Sequence, residues 1–170
     1  IRMPQVGIRS PILSHDGTNL AAAFETLRER GQTETLYEVL EKAFPNTRFF
    51  VDAQGGRFQM MMQREGILRP LESAEFSDGT LRFLCLAVAL LSPRPPLFMA
   101  LNEPENSLHP NLLPALAMLI AEASRYTQLW VTSHSTDLAD MIQGYCEVQH
   151  FQLDQKEGET VVVAINCQAT

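Results

Sequence analysis

The 170 residues predict an α/β fold with a helix-covered, mainly parallel sheet and a C-terminal β-hairpin. Two patterns carry that expectation. From Glu75 onward, helical stretches alternate with short apolar runs, which is the rhythm of a parallel sheet covered by helices. After Tyr145, two strand-like runs are split by the polar turn Asp154-Gln155-Lys156-Glu157-Gly158, which closes the chain as an antiparallel pair.

Along the chain, residues 1–15 are extended and punctuated by proline. Asp16-Gly17-Thr18-Asn19 then supplies turn and N-cap chemistry before Leu20, Phe24 and Leu27, which share one helical face, and Gly31 closes that helix. A second helix runs from Thr33 to Phe44, with Leu36, Leu40 and Ala43 at helical spacing and Pro45 ending it. Arg48 to Asp52 and Arg57 to Arg64 form a hairpin about Gln54-Gly55-Gly56, with Phe58, Met60 and Met62 on one face as packing residues. The α/β part comprises a helix from Asp78 to Leu91, a buried strand Leu97 to Leu101, a helix from Pro110 to Ser124 and a buried strand Gln128 to Thr132. The tail strands span Tyr145 to Leu153 and Thr160 to Ile165.

Composition narrows the function classes. With 45% hydrophobic residues the chain can bury one core, and its formal charge of −7 provides no general attraction for DNA or an anionic membrane. The longest apolar run, Phe83 to Leu91, is too short to span a bilayer. Cys85, Cys146 and Cys167 are odd in number and outside any C-x-x-C pattern, so they read as buried or free thiols in a reducing cytoplasm. His15, His109, His134 and His150 lack the spacing of a zinc site.

Three segments carry candidate chemistry. The apolar run Leu97-Phe-Met-Ala-Leu ends abruptly in Asn102-Glu103-Pro104-Glu105. In open α/β sheets ligands bind beyond the carboxyl ends of the strands, so Glu103 stands where a carboxylate can act. Phe76-Ser-Asp-Gly-Thr80 opens an apolar helix, with Ser77 or Asp78 as N-cap and Gly79 permitting close approach. Such a helix N-terminus suits an anion. Trp130-Val-Thr-Ser-His-Ser135 places His134 at the end of the second apolar strand. Taken singly, these read better as a turn, an ordinary cap and a satisfied histidine; their order along the chain is the informative part.

In that order the three segments resemble the signature motif, the Walker B strand with its D-loop, and the switch-histidine loop of ATP-binding-cassette ATPases. The nearest likeness is to the soluble bacterial ATPases related to RecF, SMC proteins and the OLD family, and the Asp-Gly-Thr-Asn-Leu stretch near residue 18 is similar to a mid-chain segment of those proteins. The resemblance implies that Glu103 polarises the water attacking the γ-phosphate and that His134 contacts that phosphate. It implies that Ser77, Asp78 and Gly79 meet nucleotide held by an opposite subunit, and that Ser107 and Leu108 form the D-loop at the interface of an ATP-bound homodimer. Where the superfamily carries an aspartate beside the catalytic glutamate, this chain has Asn102, which implies weaker support for Mg²⁺ through a water ligand.

No G-x-x-x-x-G-K-[ST] loop is present; Lys42 follows Glu41, Lys156 follows Gln155, and no glycine-rich loop precedes either. The expectation is therefore a single incomplete ATPase domain with an absent N-terminal Walker A half, a partial P-loop NTPase fold. Residues 1–75 form its helical and hairpin region, and residues 76–170 its core. The full-length protein would use ATP and Mg²⁺, and the isolated chain would be inactive. The alternative is a non-catalytic dimerisation or partner-binding module derived from that fold.

Overall fold

A computed structural model describes residues 1–6, 8–30, 32–156 and 158–164. Gly31, Glu157, Ile165 and Cys167, which the expected helix stop, polar turn, last strand and third thiol involve, lie outside the described residues. Helix α1 covers Leu20–Arg30 and α2 covers Thr33–Ala43. Asn19 precedes α1, and its carbonyl accepts from Ala23 N at 2.9 Å, but its side chain turns away from the helix. Oδ1 accepts from Ser14 N at 2.7 Å, and Nδ2 donates to Ser10 Oγ at 2.7 Å and to Ile12 O at 2.9 Å. The residue expected as a cap instead staples the incoming loop, because that loop's groups have no helix or sheet to satisfy them. Gly17 has φ +67°, a left-handed backbone conformation for which glycine is suited.

The first sheet is antiparallel. Strands β2 (Thr47–Gln54) and β3 (Arg57–Arg64) pair over their full length, with Val51 opposite Met60, while β1 (Gln5–Val6) and β4 (Leu71–Glu72) lie along β3. Met60 is buried, and Phe58 and Met62 pack beside it, as the alternation predicts. Phe44, Phe49, Phe76 and Phe83 form an edge-to-face chain with centroid separations of 5.3, 5.5 and 6.1 Å. This cluster ties the end of α2 and the hairpin to the residue just before the Ser77 cap. Each such pair contributes about 0.5–1.5 kcal/mol beyond its area burial.

Two exposed carboxyls on this side are held in their ionised form. Asp16 is drawn from its ordinary 3.8 to about 2 by hydrogen bonds from the backbone and side chain of Thr18 and the hydroxyl of Ser14. Glu75 is drawn from 4.5 to about 2, chiefly by Arg69, which donates to both its oxygens at 2.7 and 2.9 Å. Both values fall on folding, so both groups add stability above their unfolded values and lose it as pH drops towards 2. The double variant Asp16→Asn, Glu75→Gln is accordingly expected to show a flatter loss of urea stability between pH 4.5 and 2 than the native chain. Parallel slopes in the two proteins would remove these carboxyls from the acid response.

The second half is the expected α/β unit. Helix α3 spans Asp78–Leu90, β5 Phe98–Asn102, α4 Leu113–Ala123 and β6 Gln128–Thr132, and β5 and β6 run parallel with Asn102 opposite Thr132. The helix expected from Pro110 begins as a tight turn, Pro110–Leu112, before α4 proper. Phe83, Leu84, Leu116 and Leu119 are fully buried, and α4 packs against α2 and α3. Helix α5, Thr136–Gln143, follows β6 and packs on α4 through the buried Leu138, an element that its short apolar pattern did not announce.

The strands themselves differ from expectation: they are buried on one face only. Met99, Leu101, Leu129 and Val131 pack on the core, while Phe98 and Trp130 on the other face are 49% and 66% exposed. Among the described residues no further strand joins either edge of the pair. The C-terminal hairpin is β7 (Phe151–Lys156) against β8 (Glu159–Ala164). The strand expected from Tyr145 starts later because Tyr145 N and Cys146 N bond back to Ile142 O, ending α5. Cys85 and Cys146 are free, and burial pushes the Cys85 thiol up to about 11. Among the described residues no helix is long and apolar enough to cross a membrane.

Candidate functional site

Strands β5 and β6 end side by side, and their last residues converge. Thr132 Oγ1 donates to Asn102 Oδ1 at 2.8 Å, and Glu103 N donates to Thr132 O at 2.9 Å, which carries the pairing one residue past the strand. Glu103 then adopts φ +45° and Ser107 φ +64°. Left-handed backbone at non-glycine residues costs about 1 kcal/mol or more and persists where surrounding contacts impose it. Those contacts are visible: Asn106 N donates to Glu103 O at 3.0 Å, Leu108 N donates to Glu105 O at 2.9 Å, and Arg82 of α3 donates to Glu103 O at 3.1 Å. The turn directs Glu103 Oε1 to within 3.2 Å of His134 Nε2. The imidazole remains 89% exposed, whereas the carboxylate is 35% exposed.

The loop bearing His134 is fixed through the serines on either side. Ser133 Oγ donates to Glu105 Oε1 at 2.6 Å and His134 N donates to the same oxygen at 3.2 Å. Ser135 caps α5, its Oγ accepting from Leu138 N at 3.1 Å. The histidine ring is thus exposed and meets Glu103, while its backbone is held on both sides.

Helix α3 brings the third segment to this place. Ser77 is its N-cap, accepting from Thr80 N at 3.1 Å, and both Ser77 and Asp78 are exposed. A Cβ on Gly79 would lie 3.1 Å from Ser107 O, so glycine permits the helix start and the 103–108 turn to touch. Asp78, expected to face a ligand, is paired with Arg2 at 2.6 Å; Arg2 also donates to Ala74 O at 2.9 Å and Phe76 O at 2.8 Å. That pairing offsets a carboxylate that would oppose an anion at the helix N-terminus.

The structure therefore brings Glu103 and His134 into direct contact, with Asn102 beside them at the end of β5 and bonded to Thr132. Gly79 and Ser107 join them through the tight approach of α3. Ser77 and Asp78 lie at the same helix end but bond only to their own neighbours and to Arg2. Arg2, Arg82 and Glu105 were not singled out from the sequence; only the acid just beyond a strand-end acid could have drawn notice to Glu105.

For a divalent cation the residues present fit a supporting role. Asn102 Oδ1 accepts one hydrogen bond from Thr132 and keeps a lone pair that could receive a metal-bound water. Among the described residues no three His, Cys, Asp or Glu side chains cluster as a metal cage. Mg²⁺ would here favour a water or phosphate oxygen as charge develops, with Asn102 as an outer contact.

The parallel strand pair, whose adjacent ends carry a carboxylate and a histidine with a capped helix start abutting the turn, sits in a fold similar to that of P-loop ATPases. The chain belongs to the family described as "AAA domain, putative AbiEii toxin, Type IV TA system", whose model matches residues 3–140. Among solved structures it is similar to the Smc head domain with a coiled coil and joint from Pyrococcus yayanosii. The two share 18% identity at a TM-score of 0.62, over 85% of this chain and 28% of that one. The SMC head domain from Thermotoga maritima is also 18% identical, at a TM-score of 0.56, over 85% of this chain and 49% of that one. A chain from a study of "ATP-driven dimerization and DNA stimulated activation of SMC ATPases" is 17% identical at a TM-score of 0.58. That match covers 86% of this chain and 91% of the other. The chain thus spans about a quarter to a half of the two head-domain chains and nearly all of the third. No curated protein matches it.

Proposed function

We propose that this chain is the C-terminal part of an ATPase that binds and hydrolyses ATP with Mg²⁺ at a composite interface between two protomers, the phosphate-cradling Walker A half being an N-terminal part of the full-length protein that these 170 residues do not contain. Residues 1–75 serve as the helical and hairpin support, and residues 76–170 as the half carrying the reactive groups. The single observation that carries the reading is the 3.2 Å contact between Glu103 and His134 at the ends of adjacent parallel strands. Glu103 takes a proton from water as its oxygen attacks the γ-phosphorus and the bond to the ADP oxygen breaks. The His134 imidazole donates to the γ-phosphate oxygens. Ser77, Asp78 and Gly79 present the α3 start to the partner's nucleotide, and Ser107 with Leu108 forms the facing turn. Chemistry of this kind is mostly positioning and charge stabilisation.

The open face of β5 and β6 supports that arrangement. Phe98 and Trp130 stand exposed on a parallel pair, and the free edge of β6 is an apolar strand edge of the kind native proteins cover. A strand of the Walker A half would pair beside Gln128 to Thr132 and close that edge, and the rest of that half would lie over the exposed face. The solved chain matched over 91% of its length, from a study of ATP-driven dimerisation, has a similar extent to this one, which agrees with the reading. Asn102, where a charged ligand would serve Mg²⁺ better, favours a second reading as a non-catalytic dimerisation module. A net charge of −7 gives DNA no general foothold.

Calorimetric titration of residues 1–170 with Mg-ATP tests the proposal: no sub-millimolar binding is expected from this chain alone, and binding is expected of the full-length protein. Sub-millimolar binding by the isolated chain would defeat the reading.

A further inference from the structure

Glu105 stands in the turn after β5, two residues beyond Glu103, and is only half-buried as a residue, yet its carboxylate is turned inward. One oxygen accepts from Ser133 Oγ at 2.6 Å and from His134 N at 3.2 Å; the other is buried without a hydrogen-bond partner. An orphaned carboxylate oxygen is unfavourable for stability, so a purely structural role gives this position little reason to carry an acid. The two bonds it does make are charge-assisted, roughly twice as strong as neutral ones, and both go to the loop that carries His134. That imidazole is 89% exposed, and among the described residues its ring has a single polar contact, with Glu103. Its aim therefore depends on where its backbone is held.

We propose that Glu105 is a positioning residue whose carboxylate ties the turn after β5 to the 133–135 loop and so sets the imidazole of His134 against Glu103. This inference rests on the catalytic reading given above. It also gives the turn a second duty. Ser107, two residues on and in tight approach to Gly79, lies in the part of the turn assigned to the protomer interface. Docking of a partner there would reach His134 through a span of only three residues and one carboxylate.

The test compares Glu105→Ala, Glu105→Gln and Glu103→Gln in the full-length protein, by steady-state ATP hydrolysis and by hydrogen exchange at the His134 amide without nucleotide. A misplacement of about 1 Å costs on the order of 10²-fold in rate, so Glu105→Ala should lower kcat by about 10- to 100-fold with KM changed by less than about threefold. Its His134 amide should exchange faster than in the native protein. Glu105→Gln keeps an accepting oxygen and should restore both kcat and protection to within about fivefold. If Glu103→Gln is inactive while Glu105→Ala matches the native protein in rate and exchange, the positioning role is wrong and the catalytic reading stands. A Glu105→Gln protein as slow as Glu105→Ala but with native protection of the His134 amide would also overturn it, since charge rather than the tether would then matter. Native turnover by Glu103→Gln would instead remove the catalytic reading, and with it the inferred role, even where the exchange data still report the tether.

Discussion

Glu103→Gln is expected to slow ATP hydrolysis by the full-length protein about 10²–10⁴-fold, the range typical of losing a general base, while ATP affinity changes little. The substitution is nearly isosteric. Glutamine at 103 inherits the left-handed backbone held by Thr132 O and Arg82, and its carbonyl oxygen can still meet His134 Nε2. What disappears is the capacity to accept a proton from water. Because the phosphate cradle would belong to the other half of the domain, ground-state binding has no reason to weaken. The thermal midpoint should also stay near that of the native protein, since the backbone strain at φ +45° is the same in both. Single-turnover hydrolysis and equilibrium ATP binding separate the two quantities. Turnover like that of the native protein would show that Glu103 is not the base.

The parts of the molecule legible in the sequence are those governed by neighbours. Ser77 and Thr80 lie three residues apart, so the start of α3 follows from local capping chemistry, and the alternation of Phe58, Met60 and Met62 places β3 without knowledge of its partner. The abrupt change from Leu101 to Asn102-Glu103 marks a strand end because a buried strand does not hold free carboxylates. What stayed hidden depends on contacts between distant residues. Arg2 and Asp78 are 76 positions apart, Arg82 and Glu103 are 21 apart, and Ser133 and Glu105 are 28 apart. No periodicity encodes such pairs. The exposed face of β5 and β6 was hidden for a different reason: the residues of both strands suit burial on two sides, as in other parallel sheets, and only the structure shows that one alone is buried. Asn19 misled because asparagine serves caps and loop staples with the same atoms.

The second large effect concerns assembly. If the start of α3 meets a nucleotide held by the opposite protomer, Ser77→Arg should abolish ATP-dependent dimerisation while leaving ATP binding by the mutant protomer intact. Ser77 is exposed, so arginine there projects outward over the free N–H groups of the first turn and occupies the space a phosphate would enter. The same change removes the hydroxyl that accepts from Thr80 N, worth about 1 kcal/mol of helix stability, and that loss must be told apart from the block. Ser77→Ala provides the comparison: it loses the cap equally but adds no bulk, and should still dimerise. Both variants belong in the Glu103→Gln background, where slowed hydrolysis holds the ATP-bound dimer long enough for light scattering with and without nucleotide. The composite geometry makes a further demand. Mixing Ser77→Arg protomers, with Glu103 intact, and protomers lacking a working Walker A loop should give at most one active site per heterodimer. That site combines the intact loop of the first protomer with the intact α3 start of the second. Normal dimerisation by Ser77→Arg would mean that residues 76–80 do no more than cap α3, and the site would then have to be completed from some other surface.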